Sequence, residues 1–281
     1  MSVHVSRAVE KQLERRVAAA DRVFCFLDYD GTLSPLAPTP AEAVALPGTS
    51  ALVRQLAAAP GVQVALVTGR PIADMRRFLD VPCIYYVGTH GLEVRLPNGE
   101  MQVADGADPV RAALPELKRQ LQQTLGTRSG ILIEDKGGAL ACHYRLAAPA
   151  DAVAARKLIA ALAHDYQRSG VPITLVFGHA VAELRPTHIN KGKAARSLLA
   201  VHGSTALPIY VGDDQSDEEA FEMLPPESIT IRVAPSHTRT HARYRVLQPS
   251  DVHRLLRSWL GARAASAPLG GADDRRGGGS Q

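Results

Sequence analysis

The chain has 281 residues, 46% hydrophobic and 21% charged, with a net charge of +4 at pH 7. That length buries a sizeable core as one large domain or two smaller ones, in a composition typical of soluble globular proteins. No apolar run approaches the roughly 20 residues of a membrane helix, and no Lys/Arg stripe with interleaved aromatics offers a nucleic-acid surface.

Residues 1–20 predict an exposed N-terminal helix, because their charges interrupt any signal-peptide core. Residues 23–27 then form an unbroken apolar run, Val-Phe-Cys-Phe-Leu, ending in Asp28-Tyr29-Asp30-Gly31-Thr32. Such a run suits a strand buried on both faces of a parallel sheet. Side chains alternate along a strand, so Asp28 and Asp30 project the same way at its end. Two such carboxylates can bind a hard cation, or divide the roles of nucleophile and general acid/base. An Asp-Gly turn closing a strand explains the same dipeptide without chemistry.

A proline-rich loop, 34–40, follows. A helix over 46–59 leads to a strand over 62–67 that ends in Thr68-Gly69-Arg70. Pro71 suits the first turn of the next helix, to about residue 79. A strand over 83–87 then ends in Gly88-Thr89-His90-Gly91. This alternation predicts a doubly wound, Rossmann-like parallel sheet.

Residues 92–96 and 101–103 flank Pro97-Asn98-Gly99 as a hairpin. The pattern next reads helix, strand, strand, twice: a helix over 109–125 with strands over 130–134 and 139–144, then a helix over 151–169, N-capped by Asp151, with strands over 174–177 and 180–184. We expect an α+β module over 105–185, inserted into a core of 21–104 and 186–262. The core resumes with a helix over 191–202 and a strand over 208–211, ending in Gly212-Asp213-Asp214. A helix over 217–223, a strand over 228–233 and a helix over 251–260 close it. Residues 263–281, rich in Ala, Gly, Ser and Arg, predict a disordered tail. Its charge is the one feature favouring nucleic acid, a rival that salt-dependent binding would expose. Cys25, Cys83 and Cys142 sit in apolar runs and read as buried thiols of a cytoplasmic protein.

Four strand ends thus carry polar signatures, and ligands in open α/β sheets bind at that edge. The Thr68 hydroxyl and the amides after it can donate to a phosphoryl oxygen. Lys191, otherwise a solvated lysine, would there neutralise transferring oxygens. Asp213, Asp214 and Asp217 suit a helix N-terminus. Clustered with Asp28 and Asp30, they would need a divalent cation such as Mg2+.

Asp28-Tyr29-Asp30-Gly31-Thr32, Thr68-Gly69-Arg70, Lys191 and Gly212-Asp213-Asp214, in that order, resemble the four motifs of haloacid-dehalogenase-like (HAD) phosphatases. The inserted module stands where that family carries a cap. Gly88-Thr89-His90-Gly91-Leu92-Glu93, Lys136 with His143-Tyr144-Arg145, Glu183-Leu184-Arg185-Pro186, Asn190-Lys191-Gly192 and Gly212 to Glu218 narrow the likeness to the trehalose-6-phosphate phosphatases. It covers residues 21–260 and departs at Ser216, where that family usually has threonine.

The resemblance implies hydrolysis of trehalose 6-phosphate through an aspartyl-phosphate on Asp28. Asp30 is the implied acid/base, with Thr68 and Lys191 on the phosphoryl group. Mg2+ is implied on Asp28, Asp30 and Asp213, with Asp214 and Asp217 in support. Gly69, Arg70, His90, Glu93, Lys136, His143, Arg145 and Glu183 are the implied substrate contacts, beside Asp28 and Asp30. A monomer acting on a small sugar phosphate is expected. A phosphatase or phosphomutase for another sugar phosphate, such as sucrose 6-phosphate, and a catalytically silent sugar-phosphate sensor both stay open.

Overall fold

The architecture is that of a computed structural model describing residues 2–202, 205–235 and 238–266. A short strand, β1 (Val3–His4), precedes helix α1 (Arg7–Ala19), whose first turn is capped by the Ser6 hydroxyl. Then come β2 (Arg22–Asp28), α2 (Thr49–Ala58), β3 (Val62–Val67), α3 (Ile72–Phe78), β4 (Tyr85–Gly88) and the hairpin β5 (Glu93–Arg95) and β6 (Met101–Val103). A second unit follows: α4 (Asp108–Leu125), β7 (Leu132–Asp135), β8 (Leu140–His143), α5 (Pro149–Arg168), β9 (Ile173–Gly178) and β10 (Val181–Pro186). The chain closes with α6 (Lys191–His202), β11 (Ala206–Gly212), α7 (Gln215–Met223), β12 (Ile229–Val233), β13 (Tyr244–Val246) and α8 (Pro249–Ser266).

The strands form a nine-stranded sheet, β1-β13-β12-β11-β2-β3-β4-β5-β6, and a separate antiparallel sheet, β7-β8-β10-β9. From β1 to β4 every pairing in the large sheet is parallel, and β5 and β6 extend it antiparallel. β2 lies between β11 and β3, which is why Val23 to Leu27 carry no polar side chain: both faces are covered. Alternate residues feed two cores. Cys25 and Leu27 pack with Leu13, Leu56, Leu256 and Trp259 of the α1, α2 and α8 face. Phe24 and Phe26 pack with Tyr210, Ala195 and Phe221 of the α6 and α7 face. The smaller sheet has its own core. Leu114, Leu117, Leu121 and Leu125 recur at three- and four-residue spacing along α4 and meet Ile159, Leu140 and Leu184.

The expected parallel sheet is present, with differences at its margins. The N-terminus is a strand before it is a helix, and β1 with β13 adds an edge that two- and three-residue elements are too short to announce by alternation. Cys83 is exposed with φ +60°, so the strand starts at Tyr85 and the thiol is not buried. Burial pushes the Cys25 thiol up to about 12 and that of Cys142 to about 11. α5 starts two residues early with proline in its first turn, so Ala148, not Asp151, is the N-cap. α8 runs through Ser266, and Arg263, expected in the tail, is buried with its guanidinium donating to the carbonyls of Val17 and Ala20. The rest of the expected tail, 267–281, lies outside the described residues. Among the described residues no helix is long and apolar enough to cross a membrane.

Candidate active site

Asp28 is the last residue of β2, 3% exposed, at the carboxyl edge of the parallel sheet. Lys191, the first residue of α6, donates from Nζ to Asp28 Oδ1 at 2.7 Å and Asp217 Oδ1 at 2.9 Å. Asp217 sits in the first turn of α7 and is saturated. Its Oδ1 also accepts from the Tyr210 hydroxyl (2.9 Å), and its Oδ2 accepts from the amides of Asp213 (3.1 Å) and Asp214 (3.0 Å).

Asp28, Asp213 and Asp217 each place a carboxylate oxygen within 4.8 Å of the others. Burial raises Asp28 to about 7, with Lys191 opposing and Asp217 adding to the shift. Burial, then the charge of Asp28, holds Asp213 well above the ordinary carboxylate range. Close approach is part of the sequence: Gly31 has φ +80°, and a Cβ there would lie 2.0 Å from Asp213 Oδ2. Three buried carboxylates against one ammonium, all with oxygen donors, make a set that fits Mg2+. With Asp217 committed elsewhere, Asp28 and Asp213 are the side chains left to hold it.

Asp30 has both oxygens engaged by Arg70, Nε to Oδ2 and Nη2 to Oδ1, each at 2.7 Å. The guanidinium lies 4.5 Å from the centre of the Phe78 ring, and its Nη2 also donates to the Pro40 carbonyl. Thr68 is buried and accepts from the Arg70 amide at 3.1 Å. At Gly69 a Cβ would come within 2.6 Å of His90 Nε2, so the glycine makes room for the imidazole.

On the other side, Lys136 Nζ donates to Glu183 Oε2 at 2.8 Å. His90 Nε2 lies 2.9 Å from Glu183 Oε1, but both atoms lack a well-aligned hydrogen bond. Burial works to raise Glu183, and the charges facing it outweigh burial and hold it well below the usual range. Burial lowers His90, with the charge of Glu183 opposing that shift. His143 Nε2 is 2.7 Å from Glu134 Oε2. Arg145 donates from Nη1 to Ala37 O (3.0 Å) and from Nη2 to His179 O (2.9 Å).

One cavity joins these groups. Asp28, Asp30, Gly69, Arg70, Lys191, Asp213 and Asp214 line it together with His90, Lys136, His143, Arg145, Glu183 and residues 36–40. Thr68 and Asp217 are not in its lining but bond residues that are. Glu93 is not brought there. Its Oε2 accepts from the Ile72 amide at 3.0 Å, at the start of α3. Sequence reasoning missed His179, Glu134 and the 36–40 wall. His179 lies 3.7 Å from Asp213 Oδ2 and 3.8 Å from Asp214 Oδ1, yet in sequence it is only a turn residue. Glu134 stands two residues before Lys136, a strand period that could have flagged it.

The trehalose-phosphatase family profile matches residues 26–250. The trehalose-phosphate phosphatase of Mycobacterium tuberculosis is 37% identical over 216 residues, covering 74% of this chain and 53% of that protein. Trehalose-phosphate phosphatase B of Arabidopsis thaliana is 31% identical over 254 residues, covering 85% and 66%. This chain therefore spans about half the length of the mycobacterial relatives it matches. The C-terminal domain of Candida albicans trehalose-6-phosphate phosphatase superposes with a TM-score of 0.83 at 20% identity, covering 93% of this chain and 98% of that one, a likeness of fold alone. With a profile match across both sheets and an α/β fold shared with that domain, the chain belongs to the trehalose-phosphatase family.

Proposed function

We propose that this protein is a Mg2+-dependent phosphatase that hydrolyses trehalose 6-phosphate to trehalose and phosphate through an aspartyl-phosphate on Asp28. The observation that carries the reading is one cavity lined both by Asp28, Asp30 and Lys191 of the large-sheet edge and by Lys136, His143 and Glu183 of the smaller sheet and its loops. The two relatives, both trehalose-phosphate phosphatases, support the same substrate.

Lys191, bonded to Asp28 Oδ1, fixes the carboxylate that attacks phosphorus. The Thr68 hydroxyl and the Gly69 amide donate to phosphoryl oxygens. Asp30 protonates the departing sugar oxygen, then takes a proton from the water that cleaves the aspartyl-phosphate. The Asp28 and Asp213 carboxylates and the Asp30 carbonyl would hold Mg2+, which would supply positive charge against the transferring group. Asp217 and Asp214 support that loop, Asp217 by orienting Lys191. Residues 105–185 act as the cap. Lys136, His143, Arg145 and Glu183, with His90 from the core, read sugar hydroxyls, and a wrong sugar would leave buried polar groups unpaired. A cytoplasmic monomer completes the proposal.

The test is phosphate release from a sugar-phosphate panel with and without Mg2+. The expected result is Mg2+-dependent release, strongest from trehalose 6-phosphate. Preference for sucrose 6-phosphate or glucose 6-phosphate would move the reading to another substrate, and no release from any would leave a sugar-phosphate sensor.

A further inference from the structure

Residues 37–40 are gripped at both ends by guanidinium groups. Arg145, just beyond β8 on the inserted module, holds the Ala37 carbonyl with Nη1 and the β9–β10 hairpin, at His179 O, with Nη2. Three residues along, the Pro40 carbonyl accepts from Arg70 Nη2 at 2.7 Å. The same Arg70 binds both oxygens of Asp30, and it is 8% exposed against the Phe78 ring. Pro38 and Pro40 fix two of the intervening φ angles, so a shift at Ala37 reaches Pro40 with little slack.

We propose that Arg145 and Arg70 are positioning residues that couple the seat of the inserted module to the aim of Asp30, through the 37–40 carbonyls. With the module seated, Ala37 is held, Pro40 takes one Arg70 N–H, and the remaining fork fixes the Asp30 carboxylate facing the cavity. With the module lifted, Ala37 is released, Arg70 loses its second anchor, and Asp30 is no longer aimed. Proton transfer is thereby reserved for an enclosed substrate. The role given to Asp30 rests on the phosphatase reading; the mechanical link does not.

Two measurements test the link. The first is hydrogen exchange on wild type and Arg145→Gln, read at the amides of Ser34 and Glu42, which bond to Tyr29 O and Thr39 O within this segment. Faster exchange at both in the variant is expected. Faster exchange confined to the 178–181 hairpin would overturn the coupling. The second is a double-mutant cycle on trehalose 6-phosphate. Arg70→Gln should lower kcat about 100-fold, the scale of lost acid/base catalysis. Arg145→Gln should lower kcat about tenfold, and the double variant should lie within about threefold of Arg70→Gln, because both cut one path. Arg145→Lys should not restore kcat, since an ammonium lacks the fork that spans two carbonyls.

Both variants should lose less on p-nitrophenyl phosphate, whose leaving group departs without a proton. Multiplying losses, a pure KM effect at Arg145 or full rescue by lysine would overturn the proposal. A wild type inactive on both substrates would instead defeat the phosphatase reading, with hydrogen exchange still deciding the link.

Discussion

Glu183 is a buried carboxylate whose charge is kept by its neighbours. Burial alone would favour its neutral form; His90 and Lys136, the latter donating at 2.8 Å, reverse that. Because its folded value lies below the ordinary 4.5, its stabilisation is complete above that pH and is lost as pH falls through the lower folded value. Glu183→Gln leaves the buried Lys136 ammonium without its counter-charge and should cost about 3 kcal/mol at neutral pH, measured by urea unfolding. The cost should shrink in strong acid, and an equal cost there would place it in packing instead. The residue types of the site were legible because phosphoryl chemistry needs carboxylates, a lysine and a threonine at strand ends. Arg70 was legible as a site residue but not as the partner of Asp30, since a separation of 40 residues hides that contact. His179 was hidden too, because its role depends on where one hairpin lands.

At the scale of elements, α7 shows how a helix start can organise chemistry. Asp217 accepts two amides of the Asp213–Asp214 turn, the Tyr210 hydroxyl and Lys191, tying β11, α6 and α7 together. Asp217→Ala should weaken Mg2+ binding by about 10- to 100-fold, as loss of an outer-shell partner does. Thermal stability followed against Mg2+ concentration reads this without turnover; unchanged affinity would make Asp217 a helix cap only. The long elements were readable from period and apolar runs. Two of the shortest, β1 and β13, were not, because no turn signal joins them and their few residues fit the sheet only once β12 offers them an edge.

At the scale of the molecule, a nine-stranded sheet between two apolar cores concentrates charge at one edge. Asp28, raised to about 7 from an ordinary 3.8, favours its protonated form in the fold. Its contribution to stability is thus present below 3.8 and is lost as pH rises through about 7. A cation that binds the charged form should stabilise the protein more at about pH 8 than at about pH 5, the stabilisation at the higher pH reaching about 2.7 kcal/mol at a hundred times the Kd that holds there. Equal Mg2+ shifts in Tm at both pH values would remove Asp28 from the metal site.

The central claim is that Asp28 carries the phosphoryl group. Trehalose 6-phosphate labelled in its phosphate, mixed with enzyme and Mg2+ and quenched in acid during turnover, tests it directly. The account predicts label on the peptide containing Asp28, and neither label nor turnover in a folded Asp28→Asn variant. Turnover with no label on Asp28, together with an undiminished rate in that variant, would contradict it.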